Sequence, residues 1–213
     1  MNRSIDQIFK ILQLLKSSQG TRMDVNSHAS EVLDSYLLYG PATAQALNAG
    51  EVDVIERGER IRVKEGMLIV KEACALANIE VRKCENKERY RFELVSACTK
   101  EIRENLPDML DHFPLGIFHT GSGTATNMNA NEVIANYAHL KQGGSLEDEQ
   151  MIRYQAAHPN DVVNASQSSN DTYPTAMRIG AVLELDQVTL PGLIKLFKAL
   201  KAKAELWESE KII

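Results

Sequence analysis

The sequence predicts a mainly α-helical fold, and three observations carry that reading. Apolar residues recur at helical spacing in long blocks, at about 63–79, 88–105, 127–141, 172–188 and 190–208. Strand-like alternation is scarce. Turn-forming residues fall between the blocks: Tyr39-Gly40-Pro41, the loop bracketed by Pro107 and Pro114, and Gly143-Gly144.

In chain order, Ile5, Ile8, Phe9, Leu12 and Leu15 predict an amphipathic helix over 4–16, stopped by Gly20. Such a helix either packs on its own protein or a partner, or serves as a membrane-surface or targeting element. A short helical pattern follows Pro41, and residues 49–62 are charged and loop-like. The block at 127–141 ends at the glycine pair. Glu147-Asp148-Glu149 reads as a solvated loop. Pro191 suits the first turn of a last helix, whose apolar side carries Leu193, Leu196, Phe197, Leu200 and Trp207.

With 213 residues, 44% hydrophobic and 25% charged, the composition is that of an ordinary globular chain. The net charge of −5 argues against nucleic acid as a partner. No apolar run approaches the roughly 20 residues that cross a bilayer. The first residues lack the compact apolar core and cleavage site of a secretion signal. Cys74, Cys84 and Cys98 lack CxxC spacing, so they read as reduced thiols in a cytoplasmic chain.

Two stretches concentrate polar chemistry. In TGSGTATNMNANE (120–132), Gly121 and Gly123 flank Ser122, and Thr124 follows. Glycines allow close backbone approach, and the hydroxyls sit near a helix start, which favours anions. Asn129 and Glu132 have capping-box spacing. In HPNDVVNASQSSNDTYPTAMR (158–178), Ser168, Ser169 and Asn170 precede a helix whose start is marked by Asp171 and Pro174. Each elbow is either a plain helix start or half of a site for a molecule with two carboxylates. Neither contains Lys or Arg, so any cation must come from elsewhere. His158, Asn160 and Asp161 form a third cluster, either a hydrogen-bonded turn or a second anion site; one imidazole and one carboxylate are too few for a metal. His112 and His119 read as structural, and His139 as a complement to a helix C-terminus.

HTGSGTATNMNANEVIAN (119–136) and HPNDVVNASQSSNDTYPTAMRI (158–179) resemble the signature regions of class II fumarases, in the fumarase/aspartase superfamily. YGPATAQALNAG (39–50) is a weaker echo, and the similarity covers about 30–213. The sequence departs from the usual pattern at Ala42, Ala44, His119 and Ala125.

The resemblance implies an N-terminal lyase domain over 30–165. It is followed by the first helices of an incomplete central helical bundle over 166–213, with 1–29 as an extension. It implies reversible hydration of fumarate to (S)-malate, with no metal and no organic cofactor. Ser122, Thr124, Ser168, Ser169 and Asn170 would bind substrate, and His158, Asn160 and Asp161 would form an accessory dicarboxylate site. It also implies a homotetramer. The family's GSSxMPxKxNP loop, which carries the catalytic serine base, has no counterpart in these residues, so the chain by itself is expected to be inactive. An aspartate ammonia-lyase fragment, or a non-catalytic helical protein pairing with a full-length homologue, are the alternative readings.

Overall fold

The computed structural model describes residues 37–49, 61–116, 119 and 122–210, and among them every long element is a helix. The amphipathic helix expected at 4–16, the extension over 1–29 and most of the charged 49–62 stretch lie outside the described residues.

The helices are α1 (Pro41–Asn48), α2 (Ile61–Val81), α3 (Asn86–Glu104), α4 (Thr124–Lys141), the short α5 (Gln150–Arg153), α6 (Ser169–Glu184) and α7 (Leu190–Ser209). A 3-10 helix covers Leu106–His112, and π turns cover Pro159–Val163 and Leu185–Thr189.

Helix α2 is the hub, packing on α3 and on α6. Its Met67, Leu68, Ile69, Val70, Ala75 and Ile79 are buried, with Phe92, Val95 and Ile102 of α3 and Ala176, Ile179 and Leu183 of α6 in the same core. Two glycines let α2 and α6 touch backbone to backbone. A Cβ on Gly66 would lie 2.3 Å from the Ala176 carbonyl oxygen, and one on Gly180 would lie 2.6 Å from that of Arg62. No side chain fits in either gap, so the glycines set the interhelical distance.

Helix α4 is buried on most sides, which explains why its sequence mixes apolar residues with amides. Those amides tie down the loops around it. Asn129 Nδ2 donates to the His112 carbonyl at 3.1 Å, and Asn136 Nδ2 to the Leu38 carbonyl at 2.7 Å. His112 Nδ1 accepts the Leu38 N–H at 3.2 Å, and burial pushes this imidazole toward its neutral form. His112 is structural, as its isolation in the sequence suggests.

Glu132 corrects one expectation. It does not reach back to Asn129 as a capping box. Its carboxylate accepts the N–H groups of Gly40, Ala42 and Thr43 at 2.9–3.1 Å and the Thr43 hydroxyl at 2.6 Å. It thus caps α1 across ninety residues of sequence, a long-range version of the N-cap bond. In an interior helix, side chains serve the neighbours that surround them.

The two last helices are a second correction. The sequence predicts breaks near 189 and a start near 172, yet α6, the π turn and α7 form one continuous rod from Ser169. The joining residues Leu185, Thr189 and Leu190 all have right-handed helical dihedrals. Pro191 lacks an N–H and its ring crowds the carbonyl one turn back. The wider π turn just ahead accommodates both without breaking the rod. Pro174 likewise sits inside α6 rather than marking its start.

The rod changes character along its length. Helix α6 is packed on α2, whereas α7 buries no residue, and Leu193, Phe197 and Leu200 are each more than half exposed. No described helix is long and apolar enough to cross a membrane.

Candidate functional site

The first elbow closes at Gly123, which caps α4 in the left-handed region at φ 76°. Only glycine is at ease there. Its missing side chain has a second use. A Cβ at this position would lie 2.0 Å from Cγ of Tyr173, so the Tyr173 ring of α6 occupies the space over the elbow. The start of α4 is therefore pressed against the first turn of α6.

The second elbow is formed by Ser168, in an extended conformation, with α6 beginning at Ser169. The helix starts three residues earlier than the sequence suggests, which places Ser169 and Asn170 in its first turn. Thr172 fastens that turn: its hydroxyl donates to Asn127 Oδ1 and to the Ser168 carbonyl, both at 3.1 Å.

These contacts bring the expected residues together. Thr124 Oγ1 lies 3.4 Å from Ser169 Oγ and 3.3 Å from Ser122 Oγ. Both distances are long for hydroxyl pairs, so the groups are neighbours rather than locked partners, and they can turn toward a ligand. Ser122, Thr124, Ser168 and Asn170 are exposed and Ser169 is half-buried. Two helix N-termini thus lie side by side with hydroxyls and an amide at their mouths. Each terminus adds first-turn N–H groups that lack helical partners and a partial positive charge. Thr120 and Gly121 lie outside the described residues.

The third cluster stands apart, at the start of the π turn. His158 Nδ1 accepts the N–H groups of Asn160 and Asp161 at 3.3 and 3.2 Å, and Asp161 Oδ2 lies 3.2 Å from the same nitrogen. The Tyr154 ring meets the imidazole edge-on at 5.7 Å. Asn160 and Asp161 are exposed. The cluster is a capped turn with its polar groups open to solvent. Among the described residues no group of three or more acids, thiols and imidazoles could hold a metal.

Beneath the elbows lies a polar network that the motif reading missed. Lys71 of α2 is fully buried, and its Nζ donates to Asn164 Oδ1 at 2.9 Å and Gln167 Oε1 at 2.8 Å. Asn164 Oδ1 also accepts from Asn127 Nδ2 of α4 at 3.1 Å. Burial lowers the Lys71 ammonium to about 7, partly offset by the Cys74 thiol on the same helix. Through these neutral amides a buried lysine is linked to the helices that carry both elbows. Its sequence signal is a lysine one turn from Met67 and from Ala75, on the face that both bury. His119 and His139 are engaged locally, His119 Nδ1 with the Gly116 N–H at 3.0 Å and His139 Nε2 with Asp148 at 2.7 Å.

Comparison with known proteins places these features in context. A family profile described as a lyase matches residues 16–212. A mitochondrial fumarate hydratase of Mus musculus is 57% identical over 90% of this chain and 36% of its own length. A class II fumarate hydratase of Haemophilus ducreyi is 44% identical over 70% of this chain and 30% of its own. The crystal structure of a class II fumarase from Schistosoma mansoni superposes with a TM-score of 0.67 at 32% identity, covering 79% of this chain and 33% of the other. The chain spans about a third of the length of these relatives.

Proposed function

Because the chain belongs to the lyase family matched over residues 16–212, we propose that it forms the carboxylate-binding part of a fumarate hydratase. The reaction is the reversible hydration of fumarate to (S)-malate. The observation that carries this reading is the pairing of two helix starts, with Thr124 Oγ1 and Ser169 Oγ 3.4 Å apart. A fumarate or malate carries two carboxylates, and each finds a set of donors: Ser122 and Thr124 at the start of α4, and Ser168, Ser169 and Asn170 at the start of α6.

The chemistry explains why donors matter. Loss of the C–H proton of malate beside a carboxylate leaves an electron pair that spreads onto that carboxylate, as an aci-carboxylate. The adjacent hydroxyl then leaves with a proton as water. Preorganised N–H and O–H groups stabilise the added negative charge, a contribution of about 3–4 kcal/mol per well-placed donor. Hydroxyls and amides supply donors but no base, so the proton-abstracting group must come from a further segment. His158, Asn160 and Asp161 are read as the accessory dicarboxylate site. The same reading places the protein in the cytoplasm as a homotetramer, with a lyase domain over 30–165 and a bundle domain beginning at 166.

Adding fumarate to the purified 213-residue chain tests this. The amide signals of Ser122, Thr124 and Ser168–Asn170 are expected to shift on titration, with no conversion to malate. Steady turnover by the chain alone would contradict the assignment of the base elsewhere. Failure of any of these amides to respond would contradict the binding role.

A further inference from the structure

An amine buried away from solvent without a carboxylate partner is an unusual thing for a helix to keep. Lys71 Nζ has two amide oxygens as acceptors, Asn164 Oδ1 and Gln167 Oε1, and no described acidic group bridges to it. Removing a charge from water costs several kcal/mol, and neutral acceptors return only part of that. A methionine would fill the same volume in α2 at less cost.

The bonds around it indicate what it holds. Asn164 Nδ2 donates to the Gln167 carbonyl at 3.3 Å, and Gln167 Nε2 donates to the carbonyls of Val163 and Ala165 at 2.8 and 3.2 Å. Lys71 therefore grips a segment folded tightly on its own amides. That segment contains Ser166 in the left-handed region at φ 60°, a conformation that costs a serine roughly 1 kcal/mol or more. A second α2 residue holds the same bend: Ser166 Oγ donates to Asn78 Oδ1 at 2.8 Å, and Asn78 Nδ2 to the Ala165 carbonyl at 3.1 Å. The chain leaves this bend directly into Ser168. On its other side, Asn164 passes the connection to Asn127 on α4, and Asn127 passes it to Thr172 on α6.

We propose that Lys71 is the positioning residue of the two-elbow site: held by Asn164 and Gln167, it fixes the bend that delivers Ser168–Asn170 and, through Asn127 and Thr172, aligns the starts of α4 and α6 around an anion. The anion is a small dicarboxylate, and this part rests on the function proposed above; the alignment itself does not. The ammonium is also the positive charge that neither elbow contains. Its surroundings are few in charge. Cys74 of its own helix acts on it, and Asp171 of α6 acts on Cys74. Glu72 is engaged by Arg103 of α3 at 3.0 Å, and α4 and the 159–168 connection contribute the neutral amides Asn127, Asn164 and Gln167.

The test compares the full chain with Lys71→Met, using fumarate as the probe and amide NMR as the readout. Without ligand, the amides of Ser168–Asn170 and Thr124 are expected to titrate together near neutral pH in the parent chain and to lose that titration in the variant. A merely structural lysine would leave the pH profile unchanged. Fumarate affinity is expected to fall about tenfold or more, a loss of about 1.4 kcal/mol. Unchanged amide titration together with affinity within about twofold of the parent would overturn the proposal. Should the variant not fold, the Lys71 side-chain resonance of the parent chain decides: fumarate is expected to raise its titration midpoint, and an unmoved midpoint overturns the proposal. Should the parent chain bind no fumarate, the proposed function falls, and Lys71 is judged on the unliganded titration alone.

Discussion

The two halves of the C-terminal rod are built from similar residues and meet opposite fates. Helix α6 presents Gly180, Ala176, Ile179 and Leu183 to α2, and Ala176 is fully buried. Helix α7 presents Leu193, Phe197 and Leu200 to solvent. Apolar pattern alone does not distinguish them. What separates the halves is the small-residue seam, Gly66 against Ala176 and Gly180 against Arg62, which brings two backbones together and stops where the rod leaves the body. The buried half carries the elbow and its hydrogen-bonded floor. The bare half carries an exposed apolar stripe of the kind that marks an interface. The proposed ligand chemistry and the exposed apolar stripe thus lie on opposite halves of one rod.

The largest effect should come from filling the seam. Gly180→Leu forces a side chain into the Arg62 backbone and is expected to cost at least about 3 kcal/mol, reducing or abolishing the cooperative urea transition. Phe197→Ala on the bare half is expected to change stability by less than about 0.5 kcal/mol in the same titration. Equal costs would erase the distinction between the two halves. Next comes the cap of α1. Glu132→Gln leaves the N–H groups of Gly40, Ala42 and Thr43 facing an amide that can offer only one oxygen, with an expected loss of about 2 kcal/mol.

Lys71 gives a signed pH effect. Its folded value lies near 7 against an unfolded value of 10.5, so between them the unfolded chain binds more protons. Stability from this group therefore rises as pH increases from 7 toward 10.5, with an upper slope of about 1.4 kcal/mol per pH unit. Between pH 7 and 9 the urea midpoint of the parent should rise relative to that of Lys71→Met, and parallel midpoints would count against it. The smallest effect is on thiol chemistry. Burial pushes Cys98 up to about 12, so it should resist iodoacetamide at pH 8 in the folded chain and react once urea unfolds it.

Much of the fold was legible because helices bury stripes, and stripes appear as spacing. The long blocks of α2, α3 and α4 were placed within a few residues. The elbows were legible as helix starts because Gly, Ser, Thr and Asn favour that position. The continuity of α6 and α7 was hidden, since Pro191 normally signals a start and the π turn that absorbs it has no local signature. The partner of Glu132 was hidden for another reason: a capping box and a long-range cap use the same residue, and only the fold brings Gly40 to it. Lys71 was the most informative omission. A lysine on an apolar stripe is ordinarily assigned to the edge, with its charge in solvent. Here the acceptors that let it stay buried, Asn164 and Gln167, lie ninety residues away in sequence.

The central claim is that the two helix starts act as one site. A fumarate titration of the chain, followed at the amides of Ser122, Thr124, Ser168, Ser169 and Asn170, tests it most directly. The account predicts that all five respond with a single dissociation constant, and that Thr124→Ala weakens the response at Ser169. Two independent curves, or a response confined to one elbow, would contradict it.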